Sequence, residues 1–489
     1  MKILISYPPL SGPGSPMLTQ NRQFQWFSRP SFIYPLVASQ AATLLKKNGF
    51  DVIWNDCIAE RWTYARFIEF VKEEKPDLIA FESKTPVIKQ HWRIIDEIRL
   101  QITNYELRIT PIVVLMGDHV TALPEESMRN CKVDYVLTGG DYDQLLLNLA
   151  SHLRDKKPLE KGVWYREDGV IKNTGDFALT QDLNDLPFID RRLTKAHMYG
   201  EKWMKRRPSF YTMAGRDCHW GRCTFCSWCN MYPKFRARTP ANLLDEIGTL
   251  ISEHGAKEIF DDTGTFPVGA WLEEFCRGMI ERGFNRKILF SCNMRFGHID
   301  QALAGLMKRS GFRKVKMGLE SANQDTLDRL NKNIKAADVP NECAILKRAG
   351  IDVHLTVMIG YPWEDKDAVE RTFKLSKLLM EKGYIEMLQS TVVIPYPGSE
   401  LYKQAAENGW FRFPPEAYER YDMREEVLNT PIDEPGYIAD MCRKIYSTFT
   451  SPRYIMRHLS RIRSVSDMGY ILRGSKAAFG HIKDFGIGR

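Results

Sequence analysis

Residues 216–232 read RDCHWGRCTFCSWCNMY and place four cysteines within twelve positions: Cys218, Cys223, Cys226 and Cys229. The other six cysteines are scattered through apolar segments, a pattern typical of small buried residues. The N-terminal stretch MKILISYPPL contains an apolar run too short for the core of a signal peptide, so we expect a cytoplasmic protein with reduced thiols. Disulfides within the loop are therefore disfavoured.

Zinc and an iron–sulfur cluster both remain compatible with the four thiols. Four cysteines can close a tetrahedral zinc site, which usually staples a small domain and often uses two separated pairs. A single cysteine-rich loop at the start of a large array of strands and helices favours an iron–sulfur cluster instead. If only three of the cysteines bind a four-iron cluster, one iron stays open to a substrate or cofactor.

The cysteine loop follows the first of six strand–helix units. The predicted strands are Ser209–Met213, Glu258–Asp261, Lys287–Cys292, Lys314–Leu319, Asp352–Ile359 and Glu386–Val392. The intervening helices are predicted at Pro240–His254, Ala270–Arg282, Gln301–Arg309, Ala336–Arg348 and Asp367–Glu381. Six consecutive units predict a partial parallel barrel of the TIM type, (βα)6. The cysteines then lie at the carboxyl ends of its strands, where such barrels bind their ligands.

The first part of the chain also alternates strands and helices. The predicted strands are Lys2–Ser6, Asp51–Trp54, Leu78–Phe81, Pro111–Met116 and Asp134–Leu137, with helices at Tyr34–Asn48 and Tyr64–Glu74. This alternation predicts a doubly wound, Rossmann-like α/β sheet. The residues after each strand are polar or glycine-rich, as a ligand crevice at the carboxyl edge of such a sheet requires.

Length and composition fit a globular protein of several domains. The chain has 489 residues, of which 44% are apolar and 27% charged, and no apolar run long enough to span a membrane. We assign residues 1–155 to the Rossmann-like domain and 156–207 to a linker with a small hairpin turning at Asp168-Gly169. Residues 208–415 form the partial barrel, and 416–489 form a helical, basic C-terminal region.

The stretch CHWGRCTFC resembles the cluster loop of radical S-adenosylmethionine (SAM) enzymes, whose usual spacing is C-x3-C-x2-C with an aromatic residue before the last cysteine. Phe225 stands at that aromatic position, and Cys223 and Cys226 match the second half of the motif. The first gap is four residues, HWGR, instead of three. The resemblance implies that Cys218, Cys223 and Cys226 bind a [4Fe–4S] cluster, with Cys229 as the substitute ligand.

Further segments extend this resemblance along the barrel. They are IFDDTGTF (259–266), CNMRF (292–296), VKMGLESANQDTLDRLNK (315–332), MIGYPWED (358–365) and VIPYPGSELY (393–402). The resemblance implies that SAM is bound by Phe225, Arg295, Glu320, Ser321 and Gly360.

The N-terminal domain is similar to the cobalamin-binding domain that accompanies these barrels in one branch of the family. The similar segments are YPPL, GDHVTALPEE (117–126) and TGGDYDQ (138–144). They imply cobalamin contacts from Pro9, Ser83, Gly117, His119 and Gly139. The DxHxxG motif that supplies a cobalt ligand in other cobalamin proteins is absent, and NDCIAER stands at the equivalent place. A degenerate domain that lost its cofactor remains the alternative.

The resemblance implies a radical enzyme that uses the cluster to cleave SAM to a 5′-deoxyadenosyl radical, with electrons from an external flavodoxin- or ferredoxin-type donor. Cobalamin-dependent methylation of an unactivated carbon is the favoured reaction. Oxidation, cyclisation or ring contraction of a small molecule or lipid, without methyl transfer, is the alternative. A zinc-stabilised, non-catalytic binding protein is the alternative of another class. No catalytic residue can be singled out.

The C-terminal tail, residues 451–489, contains eight Lys or Arg residues and only Asp467 and Asp484 to oppose them. Arg453, Arg457 and Arg461 recur at four-residue spacing beside apolar positions. A solvated helix that closes the barrel explains this pattern, and so does a helix on an anionic membrane surface. We keep peripheral membrane contact as a hypothesis and expect no nucleic acid partner.

Overall fold

A computed structural model describes residues 1–17, 24–103, 110–460, 462 and 465–485. The strands before residue 174 are β1 (Lys2–Tyr7), β2 (Ser15–Pro16), β3 (Trp26–Phe27), β4 (Asp51–Asp56), β5 (Leu78–Glu82), β6 (Ile112–Met116), β7 (Tyr135–Leu137), β8 (Val163–Glu167) and β9 (Val170–Asn173). Seven of them form one sheet in the order β4-β1-β5-β6-β7-β8-β9. The first five of these pair in parallel, which confirms the predicted Rossmann-like sheet.

The hairpin of β8 and β9 turns at the predicted Asp168-Gly169. It pairs antiparallel with β7 and so extends the first sheet. The helices of this part are α1 (Leu36–Lys47), α2 (Cys57–Glu60), α3 (Tyr64–Glu74), α4 (Ile88–Thr103), α5 (Asp118–Ala122), α6 (Pro124–Asn130) and α7 (Tyr142–Asp155). Every residue of β5 is buried, because helices cover both faces of a parallel sheet.

The second sheet holds six parallel strands that lie in chain order, β10-β13-β14-β15-β16-β17. The strands of this part are β10 (Ser209–Thr212), β11 (Gly215–Arg216), β12 (Arg236–Ala237), β13 (Glu258–Asp261), β14 (Leu289–Met294), β15 (Phe312–Glu320), β16 (Asp352–Ile359) and β17 (Met387–Val392). This order confirms the predicted run of strand–helix units. Short β11 and β12 pair with each other and bracket the cysteine loop.

The helices of the second part are α8 (Trp228–Met231), α9 (Pro240–His254), α10 (Ala270–Glu281), α11 (Gln301–Arg309), α12 (Gln324–Arg329), α13 (Val339–Ala349), α14 (Lys366–Glu381) and α15 (Glu400–Glu407). The bounds of α9 are those predicted, because Thr239 caps its start through the Asn242 N–H at 3.3 Å and Gly255 ends it with φ +64°. Between these helices and the sheet, the rings of Phe266, Phe275, Phe290 and Phe312 pack with centroids 5.0–6.2 Å apart. Burial of each such side chain contributes about 1.5–3 kcal/mol.

Three helices follow: α16 (Tyr437–Ser447), α17 (Pro452–Leu459) and α18 (Val465–Asp484). They confirm a helical C-terminal region, but the basic stripe predicted for the tail is not a continuous exposed face. Arg453 is exposed, whereas Arg457 packs inward and donates to the Met380 carbonyl at 2.9 Å. The third member, Arg461, lies outside the described residues. None of the described helices combines the length and apolar character needed to cross a membrane.

Candidate active site

A cavity of 170 Å³ lies at the carboxyl ends of the second sheet and is called here the cysteine cavity. Its lining includes six of the residues predicted for the cluster and for SAM: Cys218, Cys223, Cys226, Phe225, Arg295 and Glu320. The substitute ligand Cys229 is not part of this lining, and its thiol lies 3.8 Å from the Cys223 carbonyl oxygen. The structure thus brings together the first three cysteines of the loop and not the fourth.

Backbone hydrogen bonds fix the cysteine loop to its neighbours. The Thr224 N–H donates to the Leu330 carbonyl at 3.1 Å, and the Leu401 N–H donates to the Thr224 carbonyl at 2.8 Å. The Cys218 thiol lies 3.0 Å from the Thr265 hydroxyl, in the loop after β13. The loop is therefore held by the segments that follow β13, β15 and β17, which orients its thiols.

Trp220, within the four-residue gap HWGR, fixes this part of the cysteine loop to its neighbours. Its indole N–H donates to the Asn331 carbonyl at 2.7 Å, and the Arg295 guanidinium lies 5.0 Å from its ring centroid. Gly221, in the left-handed region with φ +55°, then turns the chain. Trp220 thus anchors the loop, and Cys218 and Cys223 on either side of the gap line the same cavity.

Two cations lie beside the Cys223 thiol. The Arg295 Nη1 atom is 3.9 Å from its sulfur, and Lys332 lines the same cavity. Burial raises the pKa of Cys223 to about 11, and the charges of Lys332 and Arg295 work against that rise. Because thiols bind iron as thiolates, these cations favour the ligating form.

The Glu320 carboxylate accepts a hydrogen bond from Lys332 Nζ at 2.7 Å, and both side chains are buried. Glu320 ends β15 with φ +67°, in the left-handed region that is strained for a residue with a side chain, and the register shifts between Gly318 and Glu320. A Cβ on Gly318 would lie 2.1 Å from Glu320 Oε1 and 3.0 Å from Lys332 Nζ. Glycine at 318 therefore leaves the space that this ion pair occupies.

The donor set fits an iron–sulfur cluster with SAM. Three thiols share the cavity with two carboxylates, Asp217 and Glu320, and three cations, Arg295, Lys316 and Lys332. Groups of both signs complement the amino and carboxylate groups of an amino acid. The Nε atom of Arg295 is buried and has no hydrogen-bond partner, so a ligand acceptor can satisfy it.

Across the part of the chain that the structure describes, no three His, Cys, Asp or Glu side chains are already arranged to hold one metal ion.

Two residues predicted to contact SAM lie outside the cavity lining. The Ser321 hydroxyl donates to Glu364 Oε1 at 2.7 Å, inside a buried network that also contains Asn323 and Thr326. Gly360 packs against α16, where a Cβ would lie 3.0 Å from Ile438 Cγ2. Both residues support the loops around the cavity, and a contact with SAM remains a prediction for them.

The side chains predicted for cobalamin at the edge of the first sheet bond to protein groups. The Ser83 hydroxyl lies 2.6 Å from His91 Nδ1, and burial lowers the pKa of His91 to about 3. His119 is fully buried, with Nδ1 3.2 Å from Thr85 Oγ1 and Nε2 3.0 Å from Glu126 Oε2. Both ring nitrogens of His119 are thus engaged inside the domain.

The two glycines predicted to contact cobalamin at this edge, Gly117 and Gly139, lie close to neighbouring residues. Gly117 has φ +118°, and a Cβ there would lie 2.4 Å from the Ser83 carbonyl oxygen. Gly139 has φ +84°, and a Cβ there would lie 2.5 Å from the Phe177 ring. Pro9 is half-buried just after β1. None of the five predicted cobalamin residues lines the cysteine cavity.

The cysteine cavity also has a wall that faces the first domain. Ile394, Tyr396 and Met423 form it, and the Met423 N–H donates to the Phe24 carbonyl at 3.3 Å. In the same loop after β17, a Cβ on Gly398 would lie 3.0 Å from Ala122 Cβ on α5. An apolar and aromatic wall beside the carboxyl edge of the first sheet fits a large macrocycle such as cobalamin.

A buried ion network joins the two domains, and sequence reasoning missed it. Arg216 donates to Asp143 Oδ2 at 2.8 Å and to Asp141 Oδ1 at 3.3 Å, and Arg236 pairs with Asp141 at 2.7 Å. Burial raises the pKa of Asp143, while Arg216 opposes that rise. The two aspartates of TGGDYDQ therefore bind arginines on either side of the cysteine loop.

Sequence reasoning also missed Lys332 and Trp220. Both lie inside segments quoted for the resemblance, 12 residues after Glu320 and two after Cys218. A lysine in a loop and a tryptophan in a cysteine motif carry no distinctive periodicity. Only the spatial proximity of Lys332 to Glu320 shows that the two form a pair.

Comparison with known proteins agrees with this geometry. Residues 214–376 match the Radical SAM superfamily, and residues 27–144 match the B12 binding domain. The first match contains all four clustered cysteines together with Arg295, Glu320 and Lys332. It decides between the two interpretations of the cysteine loop in favour of the iron–sulfur cluster.

The chain is 25% identical over 420 residues to an uncharacterized methyltransferase of Pyrococcus horikoshii, covering 85% of this chain and 87% of that protein. It is 25% identical over 401 residues to the anaerobic magnesium-protoporphyrin IX monomethyl ester cyclase of Cereibacter sphaeroides, covering 80% of this chain and 62% of that protein. Its fold is similar to the radical SAM methyltransferase TsrM of Kitasatospora setae, with a TM-score of 0.68, 14% identity and 100% of both chains covered. With a B12-binding domain followed by a radical SAM domain, the chain belongs to the cobalamin-dependent radical S-adenosylmethionine enzymes, whose cofactors are a [4Fe–4S] cluster, SAM and cobalamin.

Proposed function

We propose that this enzyme transfers a methyl group from cobalamin to an unactivated carbon of a small-molecule or lipid substrate. One observation carries the proposal. A single cavity has the three cysteine thiols on one side and the apolar wall of Ile394, Tyr396 and Met423 on the side of the B12-binding domain. A substrate carbon between these walls can meet both cofactors, which sequential radical formation and methyl transfer require.

In this proposal the side chains of the cysteine cavity bind and orient the cofactors and the substrate. The cofactors supply electron transfer, radical formation and the methyl group, and the protein positions them and excludes water. Cys218, Cys223 and Cys226 hold the cluster. The Glu320 carboxylate accepts a hydrogen bond from the amino group of SAM. Lys332 and Arg295 donate hydrogen bonds to the carboxylate of SAM. The apolar wall keeps water from the reactive carbon.

Cyclisation or oxidation without methyl transfer is the second candidate. It rests on the cyclase of Cereibacter sphaeroides, which is 25% identical to this chain over 401 residues, against 25% over 420 residues for the methyltransferase of Pyrococcus horikoshii. The two reactions differ in what becomes of SAM. Methylation converts one molecule of SAM to 5′-deoxyadenosine and another to S-adenosylhomocysteine. The second candidate reaction yields no S-adenosylhomocysteine.

We expect the anaerobically reconstituted enzyme to transfer deuterium from methyl-labelled SAM to its product. The assay contains cobalamin, a flavodoxin-type reductant and a panel of tetrapyrroles and lipids. Mass spectrometry follows the product, 5′-deoxyadenosine and S-adenosylhomocysteine. Label in the product together with both nucleosides supports methylation. If the product is oxidised or cyclised, carries no label and forms with 5′-deoxyadenosine alone, the enzyme catalyses the second candidate reaction and not methylation.

We expect Gly318→Ala to weaken SAM binding by about 10- to 100-fold, because loss of one charge-assisted hydrogen bond costs about 1.5–3 kcal/mol. The added Cβ would collide with Glu320 Oε1 at 2.1 Å and displace the carboxylate from Lys332. Calorimetric titration of the cluster-loaded enzyme with SAM measures the change.

Gly305→Ala is the matched control, since its Cβ would meet only the flexible Arg309 side chain, at 3.4 Å. It lies within α11, where alanine is favoured over glycine by about 0.5–1 kcal/mol. Unchanged SAM affinity in Gly318→Ala, with an intact cluster, would remove Glu320 from the proposed site.

A further inference from the structure

The helices α17 and α18 enclose a second cavity, of 420 Å³, called here the tail cavity. Apolar side chains dominate its lining, including Leu388, Phe449, Ile471 and Ile482. Its main acidic group is already paired, because Glu386 Oε1 lies 2.8 Å from His458 Nε2. A cavity of this size and chemistry suits a hydrocarbon chain.

The tail cavity lies at the opposite end of the second sheet from the cysteines. Its lining includes Met387, the first residue of β17, and His354, near the start of β16. The cysteine cavity instead contains Glu320 and Met294, the last residues of β15 and β14. A molecule held in the tail cavity is therefore not the substrate of the active site.

The tail helices also expose an unusual amount of apolar surface. Ten large hydrophobic side chains are exposed among the described residues, and six of these belong to α17 and α18: Ile455, Met456, Leu459, Met468, Leu472 and Phe479. Of these six, Ile455, Leu459, Leu472 and Phe479 also line the tail cavity. The exposed surface and the cavity are therefore continuous. A contiguous exposed apolar patch marks an interaction site.

The exposed side chains of α18 share one side of the helix. Met468, Leu472 and Phe479 are spaced by four and seven residues, which places them within about 40° of one another at about 3.6 residues per turn. Lys476 and Lys483 are exposed and flank this stripe on the same helix. An apolar stripe beside lysines is the pattern of a helix that lies in a membrane interface.

We propose that α17 and α18 dock this enzyme on an anionic phospholipid membrane, with one acyl chain of a phospholipid in the tail cavity. The apolar stripe enters the headgroup boundary, and the flanking lysines meet anionic headgroups. Charge complementarity favours this occupant, because the tail from 451 to 489 has eight basic residues against two acidic ones, and Arg453, Lys476 and Lys483 among them are exposed. The docking requires no catalytic step and does not depend on the reaction at the cysteines.

Flotation of the full chain with unilamellar vesicles tests the surface. We expect binding to vesicles of phosphatidylcholine with phosphatidylglycerol and weak binding to phosphatidylcholine alone. The Leu472→Gln/Phe479→Gln variant should lose about tenfold or more in vesicle affinity. The Lys476→Gln/Lys483→Gln variant should lose about fivefold in affinity for anionic vesicles for each lysine removed. Its affinity for neutral vesicles should not change.

The matched control is Leu100→Gln/Val170→Gln. These side chains are 57% and 57% exposed, against 56% and 61% for Leu472 and Phe479, and they lie on α4 and on β9 of the first sheet. We expect no change in vesicle binding for the control. Equal binding by all variants, or no binding by the parent chain, overturns the proposal. A different outcome is that the parent chain self-associates without binding vesicles and the Leu472→Gln/Phe479→Gln variant loses that self-association. This outcome would assign the exposed apolar surface of α17 and α18 to contact with a second copy of this chain.

Gly474→Phe tests the cavity separately from the surface. Gly474 lines the cavity, and a Cβ there meets no atom within 4 Å, so a larger side chain at this position begins in open space. We expect this variant to bind less fluorescent phosphatidylglycerol in detergent solution than Gly474→Ala, which leaves the cavity open. Equal binding by the two variants contradicts an acyl chain in the tail cavity.

Discussion

Replacement of Cys223 by alanine is expected to abolish the [4Fe–4S] cluster and with it the reductive cleavage of SAM. Cys223 lines the cysteine cavity beside Arg295 and Lys332, the two cations that favour its thiolate. A four-iron cluster that loses one of three protein ligands is not retained on anaerobic purification. Iron and sulfide assays should fall to the level of a cluster-free protein, and 5′-deoxyadenosine should fall to background.

Cys229→Ala is the control for this experiment. Its thiol lies outside the cavity lining and close to the Cys223 carbonyl, so we expect the variant to keep its iron and its SAM cleavage. Cys218→Ala should behave like Cys223→Ala, because Cys218 lines the cavity beside Thr265. The reverse outcome, loss of iron in Cys229→Ala and not in Cys218→Ala, would make Cys229 the third ligand.

Periodic and local features of the fold were predictable from the sequence. The six strands of the second sheet follow from short apolar runs that alternate with helical spacing, and α9 begins and ends where Thr239 and Gly255 require. Strand ends were less predictable, because pairing with neighbours decides them. β14 runs to Met294, two residues beyond the predicted Cys292, since Asn293 and Met294 pair with Lys316 and Met317 of β15.

The active site was predictable where one motif carries its chemistry and not where distant segments meet. The cysteine spacing predicts three ligands, and the structure brings those three, Cys218, Cys223 and Cys226, to one cavity. The pairing of Glu320 with Lys332 depends on how the chain turns after β15, which no local pattern shows. Ser321 adjoins Glu320, but its hydroxyl turns away and bonds to Glu364.

The cobalamin side illustrates the same limit. Glycine-rich strand ends indicated a crevice, and the B12-binding match agrees with that assignment. The sequence could not show that Asp141 and Asp143 pair with arginines on either side of the cysteine loop, because the paired residues lie 73 to 95 positions apart. Such long-range pairs are fixed by domain packing and not by local propensity.

Replacement of Arg216 by methionine is expected to destabilise the protein by about 3–5 kcal/mol, because it leaves a buried carboxylate without its partner. Asp143 is fully buried, and the two terminal guanidinium nitrogens of Arg216, Nη2 and Nη1, donate to it at 2.8 and 3.3 Å. Urea unfolding of the cofactor-free chain, followed by tryptophan fluorescence, measures the change. Arg192→Met is the control, since Arg192 is exposed and its loss should cost no more than about 0.5 kcal/mol.

A second variant separates the lost ion pair from lost packing. In Arg216→Met/Asp143→Leu both charges are gone, while Asp141 keeps its partner Arg236 at 2.7 Å. Replacing a buried pair by apolar side chains of similar volume is often neutral, so we expect the double variant to regain most of the stability. The difference between the double variant and the sum of the single ones gives the coupling energy of the pair.

The pH dependence gives an independent check on the same network. Burial raises the pKa of Asp143, and the Arg216 charge holds that rise in check. Without the guanidinium the folded-state pKa rises further above its unfolded value, so the fold favours the protonated carboxyl. Such a group supports the fold at low pH and weakens it as the pH rises through the folded-state pKa. The deficit of Arg216→Met relative to the parent chain should therefore shrink as the pH is lowered from about 8 to about 5. A deficit that stays constant over this interval would show that Asp143 is not the group left unpaired.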